Sequence, residues 1–139
     1  MTLQEIFAGC TAKPLLAEEP MAKHTSFRIG GPADLMAMPQ SEQELQQLLQ
    51  RAGEAKVPVT LIGNGSNLLV RDKGIRGLVI KLGNMLHDVT VDGCTLTFGS
   101  GVSLAAASRK AAELGLSGME FAVGIPGSIG GAVYMNAGA

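Results

Sequence analysis

Two glycine-rich segments hold the residues of this chain that are best suited to binding a ligand. Gly63–Asn67 follows an apolar run, and Gly124–Gly131 begins about sixty residues later. Glycine tolerates positive φ and lets a ligand approach the backbone closely, and bare N–H groups in such loops form concave nests that hold phosphate. Two loops of this kind predict a large ligand with a diphosphate at its centre, such as a dinucleotide cofactor.

The first loop matches neither of the two common phosphate-binding fingerprints. A dinucleotide fingerprint needs a third glycine where Leu68 stands, and a P-loop needs a lysine before its Ser or Thr. A tight turn between two strands is therefore the alternative interpretation of Gly63–Asn67. Ser66 and Asn67 favour a binding role, because both side chains can donate to a phosphate or to a ring heteroatom.

The second loop is the stronger candidate, because four glycines crowd the eight residues Gly124–Gly131. Ser128 is placed to cap a short helix over 129–135, and a helix N-terminus with free N–H groups suits a diphosphate. Close helix packing between small residues is the alternative interpretation. Glu120, just before the loop, is a weaker candidate for contact with a ribose.

Other polar side chains carry weaker signals. His24 and His87 have no carboxylate partner at a metal-binding spacing, so we expect loop or surface positions for both and no metal site. Arg28 stands beside the glycine pair Gly30-Gly31. Its guanidinium could reach a phosphate or a flavin edge, and a surface ion pair is the alternative.

Composition and charge narrow the class of protein. A chain of 139 residues, 46% of them hydrophobic, can bury a core as one domain or two small lobes. A net charge of −1 argues against nucleic-acid binding, which usually uses a basic stripe. Cys10 and Cys94 show no metal-ligand spacing, so a reduced, cytoplasmic setting is expected. No signal-peptide pattern or long apolar run is present, so no membrane association is expected.

The elements around the first loop are predicted to form a parallel unit. Ala33–Pro39 has the pattern of a strand, and Val57–Ile62 that of a buried strand. Between them Ser41 and Glu44 make a capping-box pattern, with leucines at helical spacing after it, which predicts a helix over 42–55. Strand, helix and strand at this spacing predict a right-handed parallel βαβ unit.

Shorter elements are expected at the N-terminus and after the first loop. Residues 2–9 fit a short helix, and residues 10–24 fit an arm or loop. A helix capped by Ser103 should cover 104–114 and end at Gly115, and the Asp92-Gly93 step predicts an antiparallel hairpin. The overall class is α+β, a small parallel lobe followed by an antiparallel lobe with helices. The expected short strands are Leu68–Val70, Gly77–Leu82, His87–Val91 and Thr95–Gly99.

Three motifs, His24–Ala33, Gly63–Val70 and Gly124–Ala139, stand in an order and spacing that resemble the UDP-N-acetylenolpyruvoylglucosamine reductase family. The resemblance runs from about residue 21 to the end of the chain. It implies the FAD-binding fold shared with vanillyl-alcohol oxidase. It also implies a bacterial, cytoplasmic flavoenzyme that makes UDP-N-acetylmuramate for peptidoglycan.

The resemblance also implies a reaction. In that family NADPH reduces FAD, and the flavin passes a hydride to an enolpyruvyl double bond. A serine and a glutamate supply the proton, and an arginine stabilises the developing charge. The flavin carries the hydride chemistry while the protein orients and polarises the reactants. No residue here matches those three catalytic positions, so no catalytic residue is assigned in this chain.

The resemblance assigns cofactor-binding residues to both glycine loops. The first loop would wrap the diphosphate and approach the ribityl chain, and the second would lie along the cofactor and under the isoalloxazine ring. Gly63–Asn67 contains neither His nor Cys, so FAD should be bound non-covalently. The expected cofactor-binding residues are Ile62, Gly63, Asn64, Gly65, Ser66, Asn67, Leu68, Gly124, Ile125, Gly127, Ser128, Gly131 and Asn136.

The domain organisation follows from the same resemblance. An arm or helix over 1–20 would precede an FAD-binding domain over 21–139 that lacks the substrate domain. Such a chain should be inactive as a reductase by itself, and the UDP-sugar would bind only to the intact enzyme. An exposed edge of the antiparallel lobe could promote self-association. A stand-alone, non-enzymatic flavin- or nucleotide-binding module is the alternative, and another oxidase of the same flavin fold is a third possibility.

Overall fold

A computed structural model describes residues 1–83 and 85–138. The chain divides into two compact units, Met1–Met85 and Leu86–Ala139. Each unit has its own sheet and its own helices, so the predicted α+β class is confirmed. The first unit contains α1 (Leu3–Phe7), β1 (Leu16–Pro20), a 3₁₀ turn (Met21–Lys23), β2 (Pro32–Ala37), α2 (Glu42–Ala55), β3 (Val59–Ile62) and β4 (Ile75–Lys81). The second contains β5 (Val89–Asp92), β6 (Thr95–Phe98), α3 (Leu104–Glu113), a 3₁₀ turn (Glu120–Gly124) and α4 (Ile129–Met135).

The first unit is built on a mixed four-stranded sheet with the order β1-β2-β4-β3. Strands β2 and β3 both run parallel to β4, as the predicted βαβ unit requires, but β4 lies between them. The prediction that Gly77–Leu82 belongs to the antiparallel set is therefore wrong. Leu78, Val79 and Ile80 are all fully buried, which is typical of a central parallel strand covered on both faces.

The two faces of this sheet carry separate hydrophobic clusters. Because side chains alternate along a strand, Leu78 and Ile80 share one face and Val79 the other. The first face packs against the helices, through Phe7, Cys10, Leu35, Ala37, Leu48 and Ala52. The opposite face, which also lies beside the first glycine loop, carries Met21, Ala33, Met36, Ile62 and Val70.

The N-terminal segment is part of the sheet rather than an arm. The helix predicted over 2–9 is confirmed as α1, which begins at a capping box between Thr2 and Glu5. The prediction of an arm or loop over 10–24 is wrong, because these residues include β1 and the first 3₁₀ turn. Strand β1 pairs antiparallel with β2, yet it buries few side chains, so its sequence shows no hydrophobic alternation.

Helix α2 spans the residues that the capping pattern predicted. The Ser41 hydroxyl accepts a hydrogen bond from the Glu44 N–H, at 3.2 Å. The Glu44 carboxylate accepts from the N–H groups of Gln40 and Ala12, at 2.8 and 3.1 Å, rather than from that of Ser41. The start of α2 is thereby tied to the segment that follows α1.

Two predicted strands differ in the structure. Strand β3 begins at Val59 and lies at the edge of the sheet, so only Ile62 is buried and Leu61 is 55% exposed. The predicted strand over Leu68–Val70 is absent. These residues continue the loop towards β4, which is anchored where the Gly31 N–H donates to the Arg71 carbonyl at 3.0 Å.

The second unit confirms the predicted hairpin and helix. Strands β5 and β6 pair antiparallel, and Asp92 faces Thr95, so the two-residue turn is Gly93-Cys94 rather than Asp92-Gly93. Gly93 supplies the positive φ of 56° that such a turn needs. Helix α3 is capped by Ser103, whose hydroxyl accepts from the Ala106 N–H at 3.2 Å. Within the described residues, no helix reaches the length and apolarity needed to cross a membrane.

Candidate functional site

The first glycine loop lies where two parallel strands of the sheet end. Ile62, the last residue of β3, stands opposite Lys81, the last residue of β4, and Gly63–Asn67 follows directly. The Ile62 carbonyl accepts from the Leu82 N–H at 3.2 Å, which closes the ladder at this point. Ligands of sheets with parallel strands generally bind outside the carboxyl ends of the strands. The loop therefore occupies the edge of the sheet that favours a ligand.

The loop presents backbone N–H donors that no described residue accepts from. The N–H groups of Gly63, Asn64, Gly65 and Asn67 donate to none of the residues that the structure describes. Gly65 is buried, and buried N–H groups nearly always have an acceptor. Successive unused N–H groups form the kind of nest that holds an anion. These N–H groups can donate to phosphate oxygens without breaking a hydrogen bond to any described residue.

Gly65 joins the loop to the first of the three motifs. The Ser26 N–H donates to the Gly65 carbonyl at 3.1 Å. A Cβ at Gly65 would overlap the His24 carbonyl oxygen and lie 3.1 Å from the Thr25 Cα, and its φ of +68° is one that side chains disfavour. The loop can thus take this shape only with glycine at position 65. The structure brings together two motifs that lie about forty residues apart in the sequence.

His24 has the carboxylate partner that its sequence context did not indicate. Its Nε2 lies 3.0 Å from Glu19 Oε1, and its Nδ1 lies 3.1 Å from Lys81 Nζ. His24 lies in a bend after the first 3₁₀ turn, as a loop position predicts, but it is not at the surface, because only 11% of its side chain is exposed. The hydrogen bond from His24 holds the pKa of Glu19 below its usual 4.5, against the opposing effect of burial.

Two asparagines and an arginine near the first loop are exposed. Asn64 and Asn67 are exposed, and Ser66 and Leu68 are half-buried. Arg28 is also exposed, and its guanidinium makes no ion pair with any described residue, so the surface ion pair considered for it is absent there. The amide and guanidinium groups around this loop are available to a ligand.

Ser128 in the second loop caps α4 as predicted, but two N–H groups at the start of this helix are already hydrogen-bonded within the protein. The Ser128 hydroxyl accepts from the Gly131 N–H at 3.3 Å, which confirms the predicted cap of α4. The N–H groups of Ile129 and Gly130 donate to the carbonyls of Val102 and Ser100, both at 2.8 Å. The prediction of free N–H groups at the start of α4 is therefore wrong. The donors without an acceptor among the described residues belong to Gly127 and Ser128.

The N–H groups at the start of α4 are occupied because the second loop pairs closely with residues 100–104. The Leu104 N–H donates to the Gly127 carbonyl at 3.1 Å, which completes a short antiparallel bridge. A Cβ at Gly130 would lie 2.8 Å from the Ser100 Cβ, so that glycine serves close packing. Gly124 differs, because a Cβ there would meet nothing within 4 Å. Packing against the described residues does not explain the glycine at position 124.

Other candidates near the second loop also contribute to the local structure. The Glu120 carboxylate accepts from the Gly118 N–H at 2.8 Å, and hydrogen bonds from its own backbone N–H and that of Gly118 lower its pKa. Ile125 donates its N–H to the Ala122 carbonyl, and Asn136 ends α4 in the left-handed region. No cluster of three or more His, Cys, Asp or Glu side chains suited to a metal occurs in the described part of the chain.

A family model described as an FAD binding domain matches residues 33–139. The chain belongs to this family of FAD-binding domains. Among curated proteins, the UDP-N-acetylenolpyruvoylglucosamine reductase of Agathobacter rectalis is 56% identical over 90% of this chain and 43% of its own length. The enzyme of the same name from Syntrophomonas wolfei is 50% identical over 97% of this chain and 45% of its own length.

A solved structure agrees with these relatives. The crystal structure of UDP-N-acetylenolpyruvylglucosamine reductase from Thermus caldophilus is similar at a TM-score of 0.69 and 37% identity, over 91% of this chain and 42% of that one. The resemblance drawn from the three motifs is thereby confirmed. This FAD-binding domain spans less than half the length of the relatives it matches.

Proposed function

We propose that this chain binds the diphosphate of FAD on the open backbone of Gly63–Asn67. The observation that carries the proposal is the set of N–H groups at the carboxyl end of β3 that have no acceptor among the described residues. These N–H groups suit a pyrophosphate, because they can donate to its oxygens and their partial positive charge favours an anion. The family match supports FAD as the ligand.

The individual residues would contribute in different ways. The backbone of Gly63, Asn64 and Gly65 would hold the phosphates, and the Ser66 and Asn67 side chains would reach the ribityl chain. Ile62 and Leu68 would support the loop from either side. In the second unit, Gly127 and Ser128 would donate N–H groups, and Gly124 would let the cofactor lie against the backbone. Ile125, Gly131 and Asn136 complete the proposed set.

We infer that the whole protein catalyses the reaction named in its relatives, the reduction of UDP-N-acetylenolpyruvoylglucosamine to UDP-N-acetylmuramate. NADPH would be the reductant and the UDP-sugar the substrate, in the cytoplasm and for peptidoglycan synthesis. Bound FAD supplies the hydride chemistry, while the residues of this chain hold and orient the cofactor. The FAD-binding domain would comprise residues 21–139, and FAD would be bound non-covalently. The exposed strands of the β5–β6 hairpin would allow self-association.

Gly124→Ala should weaken FAD binding without changing stability. The added methyl meets no described residue within 4 Å, so its main effect should be on a ligand lying against the backbone. We expect the purified wild-type chain to retain flavin absorbance after incubation with FAD and desalting, and the variant to lose most of it. The midpoint of thermal unfolding without FAD should be the same for both.

Gly118→Ala is the matched control, because a Cβ there also meets nothing within 4 Å but lies before the proposed site. It has a φ of +108°, so a modest loss of stability is expected with FAD retained. A wild-type chain that is folded by circular dichroism and retains no flavin would contradict the proposed function. Equal FAD retention by Gly124→Ala would remove Gly124 from the site.

The chain by itself should not oxidise NADPH in the presence of the UDP-sugar substrate. None of its residues matches the catalytic serine, glutamate or arginine that the family resemblance implies. The measurement is NADPH absorbance at saturating FAD, with a full-length reductase as the positive control. Substrate-dependent turnover by this chain would show that its own residues suffice for catalysis.

A further inference from the structure

Three side chains on one face of the first sheet form a connected row beneath the glycine loop. Lys81 lies two residues after Val79, so both point to the face that carries Met21 and Ile62. The row runs from the Lys81 ammonium through the His24 ring to the Glu19 carboxylate, with separations of 3.1 and 3.0 Å. It joins the ends of β1 and β4 to the segment that contacts Gly65.

The chemistry of the two partners fixes the protonation of the ring. An ammonium group can only donate, so the His24 Nδ1 facing Lys81 must accept. The single proton of the neutral ring is then on Nε2 and is donated to Glu19. Both ring nitrogens are used, and the neutral ring bridges a cation and an anion.

A second proton on the His24 ring would break the hydrogen bond between the ring and Lys81. It would go to Nδ1 and replace the acceptor for Lys81 with a donor and a like charge at 3.1 Å. Glu19 would keep its hydrogen bond, because its pKa is lowered and it stays ionised above pH 4.5. Among the described residues, Lys23 is a further charged group close to the row, 3.5 Å from Glu19 and mostly exposed. Acidification therefore acts on the Lys81 side of the ring.

The backbone of His24 transmits this change to the loop. Its carbonyl oxygen and the Thr25 Cα fill the space where Gly65 would otherwise carry a side chain, and the Ser26 N–H donates to Gly65. We propose that His24 is a positioning residue for the Gly63–Asn67 loop, and that FAD binding weakens when its ring is protonated and releases Lys81. This inference rests on the proposed function of the loop.

The test compares the FAD dissociation constant at about pH 7.5 and about pH 5.5, which bracket the ordinary range of histidine. For the wild-type chain we expect the constant to rise about three- to tenfold at the lower pH, which is the net size of one ordinary hydrogen bond. His24→Asn should bind like the wild type at the higher pH and show no rise, because its amide oxygen can accept from Lys81 and does not titrate. His24→Ala and Lys81→Met should bind weakly at both values.

A second readout follows the ring itself. Nitrogen-15 NMR of labelled histidine, with His87→Gln to assign the two rings, should show His24 with its proton on Nε2 where FAD binds tightly, and a second proton on the ring where the dissociation constant rises. FAD affinity that is equal at both pH values, or His24→Asn with the same rise as the wild type, would overturn the inference and leave the proposed function intact. A folded wild-type chain that binds no FAD would overturn both.

Discussion

Replacing Gly65 by alanine should abolish FAD binding and lower the free energy of unfolding by about 2–4 kcal/mol. The new Cβ would overlap the His24 carbonyl oxygen, and position 65 has a φ of +68°. Either the loop or the 24–26 segment must move, and the open N–H groups move with it. Urea unfolding of the FAD-free chain measures the first effect, and flavin retention after desalting measures the second.

Gly53→Ala is the matched control for this substitution. Gly53 lies in α2, has an ordinary φ, and a Cβ there would meet nothing within 4 Å. Alanine favours a helix over glycine by up to about 1 kcal/mol, so this variant should be slightly more stable and should retain FAD. A Gly65→Ala chain with wild-type affinity would show that the observed loop conformation is not the one that binds.

Phe7→Ala should destabilise the first unit by about 3–5 kcal/mol, the usual cost of emptying a buried aromatic site. Phe7 is fully buried against Leu35, Leu48 and Leu78, although it lies in the segment expected to form an arm or short helix. The free energy of unfolding in urea is the measurement. A loss near zero would mean that α1 is not packed on the sheet.

Phe27→Ala provides the comparison within one residue type. Phe27 is 57% exposed, so its removal should cost less than about 1 kcal/mol of stability. Because both substitutions remove the same side chain, the difference between their losses of unfolding free energy measures the effect of burial. A large loss at Phe27 would indicate that this side chain is covered in solution.

Short sequence patterns correctly predicted the features that depend on residues close together in the chain. Ser41, Ser103 and Ser128 each cap the helix predicted to follow them, because a hydroxyl reaches the N–H three residues on. The hairpin after Asp92 was also found, although its turn is shifted by one residue. The two glycine loops and the three motifs likewise identified the FAD-binding family before any fold was known.

The tertiary structure decided what depends on neighbours that are distant in the sequence. β4 inserts between β2 and β3, and β1 joins the sheet, because strand order follows burial of both sheet faces rather than chain order. The N–H groups of α4 are used by the carbonyls of Ser100 and Val102, which no pattern within the helix could show.

The sequence by itself therefore determined the family, the helix starts and the positions of the two glycine loops, since these rest on residue types at short, fixed spacings. Only the folded chain decided which loop donors stay open and which side chains support them. His24 meets Glu19 across a 3₁₀ turn and Lys81 across the sheet, and neither spacing has a sequence signature. The sequence shows where the glycines are, but only the packing shows what surrounds each one. Gly65 and Gly130 lie against other residues of the protein, whereas the space beside Gly124 is free of described residues.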